Sequence, residues 1–323
     1  MNAKKHIALA ADGAFSVPLA LSLYSLQCAV AHCEDYCIHL LDGGIERALL
    51  SSLKLDIRYY DVSSALKHLP ASGRFPNSIY YRYLLPDIIP QDIRRIFYMD
   101  VDTMVCSDIS ALWDVDMGDC IMAACPWLVF AKAGQEYKPF VDHFTQRMGI
   151  AEDDEPYFYS SMLMMDLERM RQEQITRQLV ETTELYPPSQ LLWPDQDVLN
   201  VVLRGRIASL PLSYNVIPIF AQDIDLESSA ARQAYHHPHI VHFAATKPNI
   251  LTGAKYPFED QFFALWKNSP WCYQIPYPLV STYGMGACTK AILLTPIKLG
   301  ISCPLFLRAY GRLLGLLRSL LSS

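Results

Sequence analysis

The sequence predicts an α/β protein built on a mostly parallel, doubly wound sheet with flanking helices. Two observations carry this. Short apolar runs alternate with helical patterns through the first 125 residues, and strand–helix–strand alternation is the signature of a parallel sheet. Several of the apolar runs also end on an aspartate, at Asp12, Asp42, Asp61 and Asp100. Ligands of such sheets bind beyond the carboxyl ends of the strands. The composition, 51% hydrophobic and 19% charged over 323 residues, supplies ample material for a core.

The elements follow in order. His6 to Ala11 reads as a buried strand, then a turn at Asp12-Gly13 and a helix from about Val17. Lys4 and Lys5 before this apolar run imitate a secretory leader, but Asp12 and Gly13 interrupt it too early. "YCIHLLD" (36–42), "DIRYYDV" (56–62), "RIFYMD" (95–100) and "CIMAAC" (120–125) read as strands, with helical patterns at 45–53 and 77–85. Some of the terminal aspartates are expected to be turn-formers or caps, whereas Asp12 and Asp100 are placed for a site. Residues 151–156 form an acidic loop, and 157–171 a buried strand running into a helix. "PDQDVLNVVLRG" (194–205) predicts a helix with Asp195 as its N-cap, and "IVHFAATKP" (240–248) a strand followed by a loop.

The C-terminal segment changes character. From Pro304 it carries Leu and Phe with Arg308, Arg312 and Arg318 and no acidic residue. That composition suits an amphipathic helical tail lying on an anionic membrane surface; a helix packed on the domain or in a dimer is the alternative. No stretch reaches the ~18 uninterrupted apolar residues of a membrane span. The organisation expected is a catalytic domain at 1–270 and a basic, apolar tail at 271–323.

The net charge of -6 argues against a general nucleic-acid binder. Nine cysteines, none in a Cys-x-x-Cys pair, favour reduced thiols in a cytoplasm. The expected location is therefore cytoplasmic, peripheral on the inner face of the membrane. The sequence does not fix an oligomeric state.

Asp100-Val101-Asp102 holds the chemical interest. A strand's period of two puts both carboxylates on one face, where they repel unless a cation lies between them. Asp-x-Asp also occurs at 114/116, 195/197 and 223/225, so context must discriminate. Only the first closes a buried apolar strand, and His242 closes another, with Lys247 in the loop beyond. Two carboxylates and an imidazole suit Mn²⁺, with Mg²⁺ as the alternative. Lys247 adds a point charge for a diphosphate. The bland readings are a core histidine for His242 and a capping segment for Asp195-Gln196-Asp197.

Taken together, "AAD" (10–12), "YYRYLLPDII" (80–89), "IFYMDVDTMV" (96–105), "LWDVDMGD" (112–119), "MLMMDLERMR" (162–171), "PDQDVLN" (194–200) and "HFAATKP" (242–248) resemble the retaining glycosyltransferases of family 8, which include glycogenin and lipopolysaccharide glucosyl- and galactosyltransferases. The resemblance implies a Rossmann-like fold of the glycosyltransferase A type, a mixed sheet with flanking helices. It implies Mn²⁺ held by Asp100, Asp102 and His242, and a UDP-sugar donor met by Asp12, Arg82, Asp100 and Lys247. Asp195, Gln196 and Asp197 would form the catalytic set, with Gln196 facing the anomeric carbon. The acceptor implied is a glycan or glycolipid such as a lipopolysaccharide core, and the sugar moved is glucose or galactose.

The chain departs from the family in places. Tyr159-Ser160-Ser161 stands where Asn-Ala-Gly is usual, Ala14 where a polar uridine contact is common, and the His242 loop is a residue shorter and ends Lys247-Pro248-Asn249. These departures motivate a second reading, a UDP-sugar-binding homologue without turnover. A third is a haloacid-dehalogenase-like phosphatase with Asp100 as nucleophile. That motif usually places Thr or Val where this chain has Met104.

Overall fold

The computed structural model describes residues 4–71, 75–127, 144–151, 154–218, 229–244 and 257–272. Strand β1 (Lys5–Asp12) leads through a 3₁₀ turn (Gly13–Phe15) into helix α1 (Ser16–Ala29). Strands β2 (Tyr36–Gly43) and β3 (Asp56–Asp61) follow. A 3₁₀ helix (Asn77–Leu84) then tightens into the short α2 (Leu85–Ile88). Beyond it run β4 (Arg95–Met99), β5 (Thr103–Val105), β6 (Met122–Pro126) and β7 (Phe158–Asp166). Helices α3 (Leu167–Gln172), α4 (Ile175–Leu185) and α5 (Pro194–Val202) precede β8 (Ile207–Ser209). Helix α6 (Ser229–His236), β9 (Ile240–His242) and α7 (Glu259–Asn268) complete the described elements.

Seven strands form one sheet in the order β3-β2-β1-β4-β7-β6-β8. β3, β2, β1 and β4 run parallel, β7 is antiparallel to both its neighbours, and β8 is parallel to β6. The sheet is mixed, as the family resemblance implies, and its parallel half is the half that strand–helix alternation predicts. β2 is buried over seven of its eight residues, as a strand covered on both faces must be. Ile7, Leu9, Leu40, Ile96 and Phe97 are wholly buried, each worth roughly 1.5–3 kcal/mol against exposure. Chain order reverses between β1 and β4, so the ends of these two strands meet at the switch point where such sheets bind ligands.

A second, two-stranded sheet pairs β5 with β9 antiparallel, with Thr103 opposite His242. Helix α1 anchors it. Ser22 Oγ lies 2.8 Å from Thr103 Oγ1, and Val105 N donates to Ser25 Oγ at 2.9 Å. This ribbon brings His242 to the carboxylates that follow β4.

Three expectations need correction. The helix expected at 45–53 is a single 3₁₀ turn, Arg47–Leu50. The one expected at 77–85 is 3₁₀ through Leu84; Pro86 has no N–H, so no α-type bond can return from it to Arg82. Finally, Trp193 caps α5 instead of Asp195, with Pro194 in the first turn, where its fixed φ suits a helix start.

The cysteines among the described residues are all free thiols. No helix among them is long and apolar enough to cross a membrane. The basic tail and Lys247 lie outside the described residues.

Candidate functional site

The site assembles at the end of β4. Asp100 leaves the strand with its N–H donating to Ser161 O at 3.0 Å, which aims the carboxylate out of the sheet. Its Oδ1 accepts from Arg82 Nη2 at 3.0 Å and from the Tyr98 hydroxyl at 2.9 Å. Its Oδ2 lies 3.8 Å from His242 Nε2, and Asp102 Oδ1 lies 3.3 Å from the same nitrogen. Thr103 Oγ1 donates to Asp100 O, and Phe243 N to Asp102 O. The Asp-x-Asp turn is thus pinned on both sides by backbone bonds.

His242 is buried, and its ring is oriented from behind. Nδ1–H donates to Asn215 Oδ1 at 3.0 Å. That bond selects the tautomer whose bare Nε2 faces the two aspartates, the arrangement in which an outer partner fixes a ligating imidazole. Ligand atoms of Asp100, Asp102 and His242 all lie within 4.8 Å of one another. Two carboxylate oxygens and one nitrogen, preset in tautomer and crowded together, fit a hard or borderline divalent cation. Burial pushes the Asp100 carboxyl up, against the pull of Arg82 and His242, as expected of carboxylates gathered with less positive charge than they need.

Arg82 links this cluster to α5. Its Nη1 lies 3.3 Å from Asp195 Oδ2 and donates to Ser160 O, while Nε donates to Ile79 O at 3.0 Å. Its guanidinium also sits over the Tyr98 ring, 4.6 Å from the centroid. Burial works against the charge on Arg82, but Asp100 and Asp195 outweigh it and raise its pKa above the usual value. One side chain therefore holds two expected site carboxylates in a fixed relation.

Gln196 is buried beside them. Its Oε1 accepts from Ser160 N at 3.1 Å, and its Nε2 donates to the Tyr157 hydroxyl at 3.1 Å. The Ser160 donor fixes which end of the amide carries oxygen. The Tyr157 hydroxyl donates in turn to Asp197 Oδ1 at 2.6 Å, which also accepts from Arg147 Nη2 at 2.8 Å. Asp197 Oδ2 accepts from the backbone of Leu192 and Trp193, closing the start of α5. With four donors Asp197 has no spare lone pair. Burial pushes its carboxyl up, opposed by Tyr157 and Arg147.

Asp12 closes β1, with Oδ1 accepting from Ala14 N at 3.1 Å and Oδ2 from Ser78 Oγ at 2.8 Å. It shapes the loop after β1 and is drawn toward the Arg82-bearing 3₁₀ helix. The remaining strand-end and Asp-x-Asp carboxylates behave differently. Asp42 salt-bridges Arg47 and caps its own turn; Asp114 ends a 3₁₀ turn, and Asp116 accepts from Gly118 N. Asp223 and Asp225 lie outside the described residues.

The structure therefore brings Asp100, Asp102, His242, Arg82, Asp195 and Gln196 into one hydrogen-bonded or ion-paired network. Sequence reading missed Asn215, Tyr157, Tyr98, Arg147 and Asn200. Asn200 latches α5 to β7, with Oδ1 accepting from Phe158 N and Nδ2 donating to Phe158 O. Tyr98 stands two residues before Asp100 on the same strand face, a spacing that could have marked it; the others act through partners distant in sequence.

Comparison with known proteins identifies the family and the fold. The sequence profile of glycosyl transferase family 8 matches residues 6–248. General stress protein A of Bacillus subtilis is 27% identical over 281 residues, 82% of this chain and 94% of its own. Lipopolysaccharide 1,2-glucosyltransferase of Escherichia coli is 23% identical over 68% of this chain, which spans 62% of that protein's length. Among solved structures, galactosyltransferase LgtC with donor and acceptor sugar analogues superposes with a TM-score of 0.65 at 24% identity, covering 80% of this chain and 94% of that one. The bifunctional glycosyltransferase WbbM gives 0.68 at 22% identity, covering 84% of this chain and 51% of that one. These likenesses establish the fold, and with the profile match over most of its length the chain belongs to glycosyl transferase family 8.

Proposed function

We propose that this glycosyltransferase is a retaining, metal-dependent hexosyltransferase. It would move glucose or galactose from a UDP-sugar to a bacterial surface glycan such as a lipopolysaccharide core. The observation that carries the reading is the convergence of Asp100, Asp102 and the tautomer-fixed Nε2 of His242 beside the Arg82–Asp195 pair. Names of relatives supply the sugar class, since lipopolysaccharide 1,2-glucosyltransferase and 1,3-galactosyltransferase are both among them.

In this reading Asp100, Asp102 and His242 hold a divalent cation, Mn²⁺ or Mg²⁺. When bound, the ion neutralises charge on the departing diphosphate, and Lys247 adds a second positive charge. Asp12, through the loop after β1, serves the nucleoside end. Arg82 and Asp195 grip hydroxyls of the donor sugar. Gln196, locked between Ser160 N and Tyr157, positions the anomeric centre; an amide is a poor nucleophile, so its task is orientation. Asp197 acts behind Gln196, through Tyr157, as a positioning residue.

The reading without turnover rests on Tyr159-Ser160-Ser161 and on the shortened His242 loop, most of which lies outside the described residues. Ser160 N supports Gln196, Ser160 O supports Arg82 and Ser161 O supports Asp100. The backbone of these serines holds three of the candidate site residues, which favours turnover. Family membership likewise replaces the phosphatase reading. The tail at 271–323 is proposed as a membrane-surface attachment joined to a catalytic domain at 1–270. Sedimentation with anionic vesicles, lost on truncation at Pro304, would support it; equal sedimentation of full and truncated chains would reject it.

The test of the main reading is UDP release from a panel of UDP-sugars with Mn²⁺ or with EDTA. Metal-dependent release from UDP-glucose or UDP-galactose is expected. No release from any UDP-hexose, with or without a glycan acceptor, would overturn it.

A further inference from the structure

A second cluster of metal-ligating side chains lies toward the opposite end of the parallel sheet. His6 on β1 pairs in register with Cys37 on β2, and His39 stands two residues further along β2. Strand alternation therefore puts all three side chains on one face. Their ligand atoms lie within 4.8 Å of one another. His6 Nδ1 is 2.9 Å from His39 Nε2, and His39 Nδ1 is 2.9 Å from the Tyr60 hydroxyl on β3. Cys37 and His39 are wholly buried, and the His6 ring is half-buried. Ile7 pairs with Phe97, so His6 stands four residue steps short of the level of Asp100, about 13 Å along the strands at ~3.3 Å per residue. The cluster is thus remote from the Asp100 site and takes no part in it.

We propose that His6, Cys37 and His39 form a second metal site, for a borderline ion of the Zn²⁺ kind. The donor set is the reason. One thiolate and two imidazoles are the ligands such ions select, whereas the Asp100 site offers mainly oxygen. The Tyr60 hydroxyl on the far nitrogen of His39 is the outer partner that metal-bound imidazoles carry. In the tautomer that leaves Nε2 bare and facing inward, the hydroxyl accepts from Nδ1–H. The proton on His6 Nδ1 moves to its own Nε2 through solvent, which the half-buried ring reaches. The Cys37 thiol gives up its proton, so one proton leaves per ion bound. Asp56, opposite Cys37 in register and bonded to Lys4 at 2.7 Å, sets a carboxylate beside the thiol. It partly offsets the charges of Lys4 and Arg58 nearby. Occupied, the site would tie β1 to β2 near their starts.

Co²⁺ titration of the full chain tests this, since a cobalt–thiolate bond gives a charge-transfer band that a carboxylate site lacks. The expected result is a saturable band that Zn²⁺ abolishes. It should persist in Asp102→Asn and vanish in Cys37→Ser. His6→Gln, at a half-buried position, covers the case in which Cys37→Ser fails to fold; its Co²⁺ affinity should fall at least ~10-fold. Absence of the band in the unaltered chain, its survival in folded Cys37→Ser, or unchanged affinity in His6→Gln would overturn the proposal.

Discussion

Asn215 bonds to His242 and decides which imidazole nitrogen faces Asp100 and Asp102. Replacing it with Leu removes the acceptor for Nδ1–H and frees the wrong tautomer. Affinity for Mn²⁺ should then fall about 10–100-fold, while Asn215→Asp, which keeps the acceptor, should retain most of it; isothermal calorimetry reads both. Asp197 gives the contrasting case, since its four donors all belong to the fold. Asp197→Ala strands Arg147 and Tyr157 in a buried setting and should cost about 3–5 kcal/mol, seen as a lowered denaturant midpoint. At this scale the sequence was partly legible. Asp100 and His242 stand out because each closes an apolar strand, and Asp102 because it follows Asp100 at the strand period of two. Asp195 and Gln196 stand out as a helix start, but their roles, and Arg82 altogether, follow only from family resemblance, because their bonds reach across the fold. Asn215 and Tyr157 carry no local mark at all.

The turns after β1 and β2 approach each other so closely that side chains become a steric matter. A Cβ on Gly43 would lie 2.7 Å from Tyr81 Cε2 and 3.0 Å from Ala11 O. The tyrosine can shift, but the backbone of β1 cannot follow without breaking its ladder to β2. Gly43→Ala should therefore destabilise by about 1–3 kcal/mol, measured by denaturant unfolding, and a change below ~0.5 kcal/mol would show that β1 yields. Elements were legible in proportion to their burial and length. β1, β2, β4 and β7 were read from apolar runs nearly to their ends. β5 and β8, each three residues long, exist only because a partner strand lies alongside, and local sequence does not report that. The segment at 77–84 reads as helical because tyrosine and leucine spacing is similar in 3₁₀ and α forms; Pro86 removes one α-type bond at its end.

For the whole molecule, alternating strands and helices were enough to predict the parallel half of the sheet and the end at which the site lies. Nothing in local pattern predicts that β7 enters antiparallel between β4 and β6. Yet that insertion delivers Ser160 and Ser161 to Arg82, Gln196 and Asp100, so topology and site are one fact. The central claim is that Asp100, Asp102 and His242 hold the ion on which transfer depends. The most direct measurement is the initial rate of UDP release from UDP-glucose or UDP-galactose across a Mn²⁺ titration, for the unaltered chain and Asp102→Asn. The account predicts a saturable Mn²⁺ requirement and a loss of at least ~100-fold in rate for the variant, which keeps the fold but removes one charged ligand. An Asp102→Asn protein with full activity and the same Mn²⁺ dependence would contradict it.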